Sequence, residues 1–382
     1  MTRLDVPFAL LEQAVERGMP PSAQACVIHD GEVVHSSAHG EATPQSLFDL
    51  ASVTKAAATA MAIALLCARE GLSLDSTVAS HIPAFGAAGK ETLTVRELLG
   101  HRSGLPAWRP FFARVMREVP ELYPPHSLRS PSLMARARAM LVSDVMQSPL
   151  EVRGRRVYSD LGFIVLGELV RAITGLGLDV YCASQVFGPL SRDLLFLHPS
   201  SPAARHVLPT GRTRPRAPAP GQERDYVVPA QTARLDPGDV DDDNAWAMGG
   251  VAGHAGLFGT AISLAKLGWR LVEELDDGRH WSAQPIVREM VALDPCVEGP
   301  ARALGFDVPA LEGSAAGSLL GRAGPRGAIG HLGFTGCSLW VDLDRRLVIA
   351  LCTNRTLPGR DQVERFRPLR PAFHDAVVRS LD

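Results

Sequence analysis

Residues 52–70, SVTKAAATAMAIALLCARE, constrain this chain more than any other stretch. Alanine and leucine are strong helix formers, and Gly71 stands where such a helix would stop. The run is apolar on nearly every side, and Lys55 is its only charge before Arg69. A helix without a polar face has to be covered all round, so the pattern predicts a helix buried between layers. At its mouth Ser52 and Lys55 are three residues apart, which stacks a hydroxyl and an amine on one helix face.

The two chain ends supply the material for a covering layer. Pro7 opens an amphipathic helix with Phe8, Leu11 and Val15 on one stripe and Gly18 as its stop. AQACVIH and EVVHSS are strand-like runs joined by Asp30-Gly31, a strong hairpin signal. At the other end CSLWVDL and RLVIALCTN flank Asp344-Arg345-Arg346, and Leu369, Phe373 and Val377 mark a last helix. The middle is mostly helical, including LGFIVLGELVRAITG at 161–175. The expected fold class is therefore α/β (α+β): one antiparallel sheet built from both termini and flanked by helices, with a mostly helical insertion. The boundaries expected are 1–50 plus 305–382 for the sheet domain and 51–304 for the insertion, with a site at their interface. Pro, Gly and Arg dominate about 199–238, which reads as a long loop.

Composition excludes several classes. With 382 residues, 39 Lys+Arg against 41 Asp+Glu and a net charge of −2, the chain has an ample core and no electrostatic case for nucleic acid or an anionic membrane. No apolar segment approaches the roughly 20 residues of a membrane span. Asp5 and Glu12 come too early for a secretory signal, so a cytoplasmic location is expected. Six cysteines, Cys26, Cys67, Cys182, Cys296, Cys337 and Cys352, are scattered without a CxxC pair. They read as buried thiols, although spacing alone leaves a disulfide open. There is no G-x-S-x-G elbow, H-E-x-x-H or P-loop, and neither cofactor nor metal is expected. Asp239, Asp241 and Asp243 imitate the start of a calcium loop, but Asn244 and Gly250 stand where its Gly and Glu belong, so an acidic turn is expected.

Only Lys55, Lys90 and Lys266 are lysines, and lysine, unlike arginine, can deprotonate in a protein. Lys90, between Gly89 and Glu91, reads as a surface charge. Ser263-Leu264-Ala265-Lys266 repeats the Ser52 spacing, but there Thr260 caps a helix carrying Leu264, Leu267 and Leu271 and leaves Lys266 outside. Ser52 is different, because its lysine lies in an uncharged run where an unpaired ammonium is costly. Desolvation would lower the Lys55 pKa and let the amine help take a proton from the Ser52 hydroxyl.

Four blocks, FDLASVTKAAATAMAIALL, TVRELLGHRSGLPAW (94–108), YSDLGFIVLGELVRAITG (158–175) and GHLGFTGCSLWVDLDRRLVIALCTNR (330–355), occur in an order and spacing that resembles the class C β-lactamase-related serine hydrolases. That superfamily includes penicillin-binding D,D-peptidases and carboxylesterases. GDVDDDNAWAMGGVAGHAGLF (238–258) is similar to a block of one of its branches. The resemblance implies a serine β-lactamase/D,D-peptidase-like fold. It implies Ser52 as the acylated nucleophile, Lys55 as its basic partner and Tyr158 as general base. His331-Leu332-Gly333 then holds the Lys-Thr-Gly position, and the Ser52 and Phe334 N–H groups form an oxyanion hole.

The plainer readings remain open residue by residue. Tyr158 could be a core tyrosine and His331 a satisfied strand histidine, while Asp160 caps the helix after it, contacts substrate, or does both. Trp108 lines the pocket or packs in the core; His101 and His254 stabilise turns. Histidine at 331 lacks lysine's permanent charge for a substrate carboxylate. This favours small esters or uncharged amides as the small-molecule substrate. The alternatives are a β-lactamase or D-Ala-D-Ala carboxypeptidase with the same machinery, and a ligand-binding scaffold without turnover. Oligomeric state is not legible in the sequence.

Overall fold

The fold was derived from a computed structural model, which describes residues 4–122, 130–151, 153–197, 201–216, 233–235, 238–294 and 298–382. Its strands, in chain order, are β1 (Ala23–His29), β2 (Glu32–His39), β3 (Phe48–Asp49), β4 (Leu194–Phe196) and β5 (Thr213–Arg214). They continue with β6 (Ala233–Arg234), β7 (Leu257–Gly259), β8 (Ala328–Leu332), β9 (Ser338–Asp342) and β10 (Leu347–Thr353). The main sheet has the order β2-β1-β10-β9-β8 and is antiparallel throughout. Both termini thus build one sheet, as the sequence predicts, with Asp30-Gly31 turning β1 into β2. A smaller sheet, β3-β7-β4, places the end of β3 just before Ser52.

The inner strands of the main sheet are buried on both sides because both faces are covered, whereas the edge strand β2 is largely exposed. Cys26, Ile28, Val348 and Ala350 join one core with Leu264, Leu267 and Leu271 of the helix Ala261–Asp277. Ala25, Val27, Ile349 and Leu351 join a second core with Phe8, Leu11, Phe373 and Val377. Those last residues belong to the helices Asp5–Glu16 and Leu369–Leu381. Each valine, leucine, isoleucine or phenylalanine among them contributes roughly 1.5–3 kcal/mol when fully buried. The first helix starts two residues before Pro7, in whose first turn a missing N–H costs nothing.

The Ala-rich run is buried as expected. It opens with a π-helical turn, Lys55–Ala60, and continues as the α-helix Met61–Arg69. The helix Asp160–Thr174 crosses it, capped by Ser159, whose hydroxyl accepts from the Gly162 N–H, and ended by Gly175. Among the described residues no single helix is long and apolar enough to cross a membrane.

Two local expectations need correction. Lys90 is not a surface charge: its side chain is buried, its ammonium donates to the Ser148 carbonyl at 2.8 Å, and burial lowers its pKa. Asp241 and Asp243 do not stand in an acidic turn but lead into the short helix Asp243–Ala247. Both are buried, Asp241 against Arg216 (2.9 Å) and Arg360 (2.9 Å), Asp243 against Arg214 (2.5 Å). Part of the 199–238 loop is thereby fastened to the segment after β10; residues 217–232 of it, and Cys296, lie outside the described residues. The five described cysteines are free thiols. Lys266 is exposed on a helix capped by Thr260, as read from the sequence.

Candidate active site

Ser52 sits on a tight turn between β3 and the buried helix. Ala51 adopts a φ of 48°, a region that a residue with a Cβ enters only when held there. It is held by Asp49, whose Oδ1 accepts the Ala51 N–H at 2.8 Å, and by Thr54, whose hydroxyl donates to the Ala51 carbonyl at 2.6 Å. The Leu50 N–H donates to Leu257 of β7 at 2.9 Å, fixing the turn to the small sheet.

Lys55 lies below Ser52 with its side chain wholly buried. Its ammonium donates to Ser52 Oγ at 2.9 Å and to the His254 carbonyl at 3.0 Å, and meets Asp160 Oδ1 at 2.7 Å. The last contact is ionic rather than a well-angled hydrogen bond, since Oδ1 has no aligned donor. Tyr158 is also within hydrogen-bonding reach of the ammonium. Burial pushes the Lys55 pKa down, but the Asp160 carboxylate and Tyr158 outweigh it, and the net shift is upward. This overturns the expectation of a lysine made basic by desolvation. The burial was legible in the apolar run; the compensating carboxylate was not.

Asp160 is therefore the counter-ion of Lys55, with 17% of its side chain exposed. The helix cap is Ser159, one residue earlier, and not Asp160. Tyr158 is half-buried and surrounded by charge and aromatic edges. Lys55 Nζ is 4.9 Å and the Arg302 guanidinium 5.0 Å from its ring, while the His101 and His331 rings lie at 4.6 and 6.0 Å. Arg302, ion-paired with Asp307, belongs to no motif in the sequence and was missed.

His331 is buried on the edge strand β8. Its Nδ1 donates to the Leu332 carbonyl at 2.8 Å, which leaves Nε2 as an acceptor. Burial, then Lys55 and Arg302, push its pKa well below 6.5, so the ring is neutral. His101 is likewise held neutral by burial and by Arg302, and its Nδ1 accepts the Ser159 N–H at 3.0 Å. It orients the Tyr158 segment, a larger part than the turn-stabilising one expected. His254 offers its carbonyl to Lys55 and its Nε2 to Asp242 at 2.9 Å.

Beyond β8, Gly333 comes so near the Ser52 turn that a Cβ would lie 2.5 Å from the Leu50 carbonyl oxygen. The Gly333 N–H donates to the Cys337 carbonyl at 2.7 Å, closing the turn that carries Phe334. Among the described residues neither the Ser52 nor the Phe334 N–H finds an acceptor. Trp108 packs on Phe112 at 6.4 Å, and its neighbour Ala107 accepts the Asp160 N–H at 2.9 Å. Among the described residues no hydrogen bond or ring contact joins Trp108 to Ser52, Lys55 or Tyr158. Gly253, beside His254, allows another close approach: a Cβ there would lie 1.9 Å from the Phe163 carbonyl oxygen.

One pH prediction follows. Burial holds His101, His331 and His374 below 6.5 in the folded chain, so below that pH the unfolded chain binds protons that the folded one does not. Stability is then lost as pH falls through about 6.5 towards 5. A melting temperature that drops over this interval is the expected result, and Ser338→Ala, which removes a partner of His374, leaves the trend in place.

This fold and arrangement agree with what the chain is similar to. Residues 9–372 match the family described as Beta-lactamase, so the chain belongs to that family. It is a serine hydrolase of the family. An N-acetylmuramyl-L-alanine amidase of Bacillus subtilis (strain 168) is 28% identical, over 90% of this chain and 80% of its own. A putative D-alanyl-D-alanine carboxypeptidase of Escherichia coli (strain K12) is 26% identical, over 92% and 82%. A family VIII carboxylesterase crystal structure superposes with a TM-score of 0.68 at 21% identity, covering 99% of this chain and 96% of that one.

Proposed function

We propose that the protein hydrolyses small esters or uncharged amides through an acyl-enzyme on Ser52. The observation that carries this is a wholly buried ammonium, Lys55, 2.9 Å from Ser52 Oγ and neutralised by Asp160. The ammonium is held by the Ser52 hydroxyl, the His254 carbonyl and the charge of Asp160, so it donates to Ser52 and does not take the proton. Tyr158, in its ionised form, accepts the proton as Ser52 Oγ bonds to the substrate carbonyl carbon. Negative charge leaving Tyr158 is replaced by charge on the carbonyl oxygen, which the Ser52 and Phe334 N–H groups receive. Tyr158 then returns the proton to the leaving group as its bond to carbon breaks. Water repeats the sequence on the ester of Ser52 and frees the acid.

Substrate class rests on His331 and Asp160. His331 is neutral, with Nε2 turned acceptor, so no permanent cation stands at that position for a substrate carboxylate. Asp160 can only accept, so it suits a substrate N–H or hydroxyl, where an asparagine would also donate. The Gly333 turn, closed on the Cys337 carbonyl, edges the site and brings the Phe334 N–H to it. A β-lactamase or D-Ala-D-Ala carboxypeptidase is the second reading, favoured by the name of the Escherichia coli relative at 26% identity.

The test is a comparison of kcat/KM for p-nitrophenyl butyrate and nitrocefin. A charged hydrogen bond to the missing cation amounts to about 1.5–3 kcal/mol, so nitrocefin should fall roughly tenfold to a hundredfold behind. Equal or faster nitrocefin turnover would establish the second reading.

A further inference from the structure

We propose that Asp49 is a positioning residue that locks together the two turns bearing the oxyanion donors, Ser52 and Phe334. The inference rests on the Ser52 reading above and goes beyond it, because Asp49 touches neither substrate nor the reacting atoms.

Asp49 is buried at the end of β3 and uses every oxygen it has. Its Oδ1 accepts the N–H of Ala51, the strained residue directly before Ser52, at 2.8 Å. Its Oδ2 accepts the Asp241 N–H at 2.6 Å. Its backbone carbonyl accepts the Thr335 hydroxyl at 2.7 Å, directly after Phe334. Thr335 in turn is tied to β10, its carbonyl accepting the Thr353 hydroxyl at 2.8 Å. One residue therefore sets the height of the Ser52 turn and its separation from the Phe334 turn. Neither link follows from the Ser-Lys spacing, and an error of about 1 Å in such a separation costs up to about a hundredfold in rate.

Protonation of Asp49 turns one of its two acceptor oxygens into a donor and releases either the Ala51 or the Asp241 N–H. The ionisable groups facing it are Asp241 and Asp242 on the segment after Gly238, and Cys337 on the turn before β9. Burial raises its pKa to about 7, against the lowering effect of the two N–H groups. The ionised form, which holds the Ala51 and Asp241 N–H groups together, thus gives way to the protonated one as pH falls through about 7. Because the folded value is raised, Asp49 favours the folded state most at acid pH, and this contribution is lost as pH rises through about 7. Activity and its stability contribution should therefore change in opposite directions, which a purely structural residue would not show.

The experiment measures kcat, KM and the rate of fluorophosphonate labelling at Ser52 from pH 5.5 to 9, with the labelled residue mapped by mass spectrometry. Wild type should show an acid limb near pH 7. Asp49→Asn should lose that limb, with kcat and labelling down about ten- to a hundredfold and KM within about threefold. Its melting temperature relative to wild type should rise from pH 5.5 to about 7 and level off above it. Thr335→Val, which removes only the hydroxyl link, should lower kcat, and Thr335→Ser should restore it; this pair serves if Asp49→Asn does not fold. Labelling at Ser52 with rate and pH profile unchanged in Asp49→Asn, or Thr335→Val as active as Thr335→Ser, would overturn this proposal alone. Wild-type labelling at a residue other than Ser52 would overturn the Ser52 reading and this proposal with it.

Discussion

Ser52→Ala is expected to lower kcat for p-nitrophenyl butyrate by about 10⁴- to 10⁶-fold, the range found when a nucleophile that acts as a unit with its base is removed. Stability should hardly move. Ser52 is half-buried, and its Oγ is one of three acceptors around Lys55; the Asp160 carboxylate and the His254 carbonyl remain after truncation. Loss of one such hydrogen bond amounts to about 1 kcal/mol. Steady-state rates beside thermal melts check both halves. A variant that keeps more than a few per cent of wild-type turnover would remove Ser52 from the mechanism.

Lys55→Met is expected to damage both activity and stability. Without the ammonium the Ser52 hydroxyl loses its donor and Tyr158 one of its two flanking cations, so kcat should fall by about 10³- to 10⁴-fold. The fold loses the partner of Asp160. Removing one member of a fully buried pair costs about 3–5 kcal/mol, and the 17% exposure of Asp160 lets water recover part of this, so about 2–3 kcal/mol is expected. The Lys55 pKa is raised, so the pair's contribution is full below the unfolded lysine value near 10.4 and is lost only as pH rises through the folded one. A melt at pH 8 therefore captures it. Lys55→Arg should not restore activity, because a planar guanidinium cannot present donors to Ser52, Asp160 and His254 from one buried point. Urea titration of Lys55→Met against wild type measures the stability loss. No loss there, with kcat intact, would mean that the buried pair has neither role.

Much of the fold was legible because its signals are local. An uncharged Ala-rich run announces a buried helix, Asp30-Gly31 a hairpin, and strand-like runs near both ends a shared sheet. Ser52, Lys55, Tyr158, Asp160, His331, Gly333 and Phe334 were brought into view by motif order, and the structure gathers them around one turn. What escaped were pairings that join distant segments. Lys90 looked exposed from its neighbours Gly89 and Glu91, yet its ammonium ends at the Ser148 carbonyl. The Asp241 and Asp243 carboxylates read as part of an acidic turn, and the sequence did not show that Arg214, Arg216 and Arg360 meet them. The direction of the Lys55 shift was misread for the same reason: burial is written in the run itself, whereas Asp160 comes from another helix. Arg302 and Asp49 carry no pattern of their own, and only their positions, over the Tyr158 ring and beneath the Ala51 N–H, mark them.

The central claim, an acyl-enzyme on Ser52, is tested most directly by following p-nitrophenol from p-nitrophenyl butyrate in the first milliseconds after mixing. Deacylation slower than acylation should give a burst of about one equivalent per chain, absent in Ser52→Ala, with a butyryl group mapped to Ser52 by mass spectrometry of the quenched protein. A burst that persists in Ser52→Ala, or a butyryl group on another residue, would contradict the account.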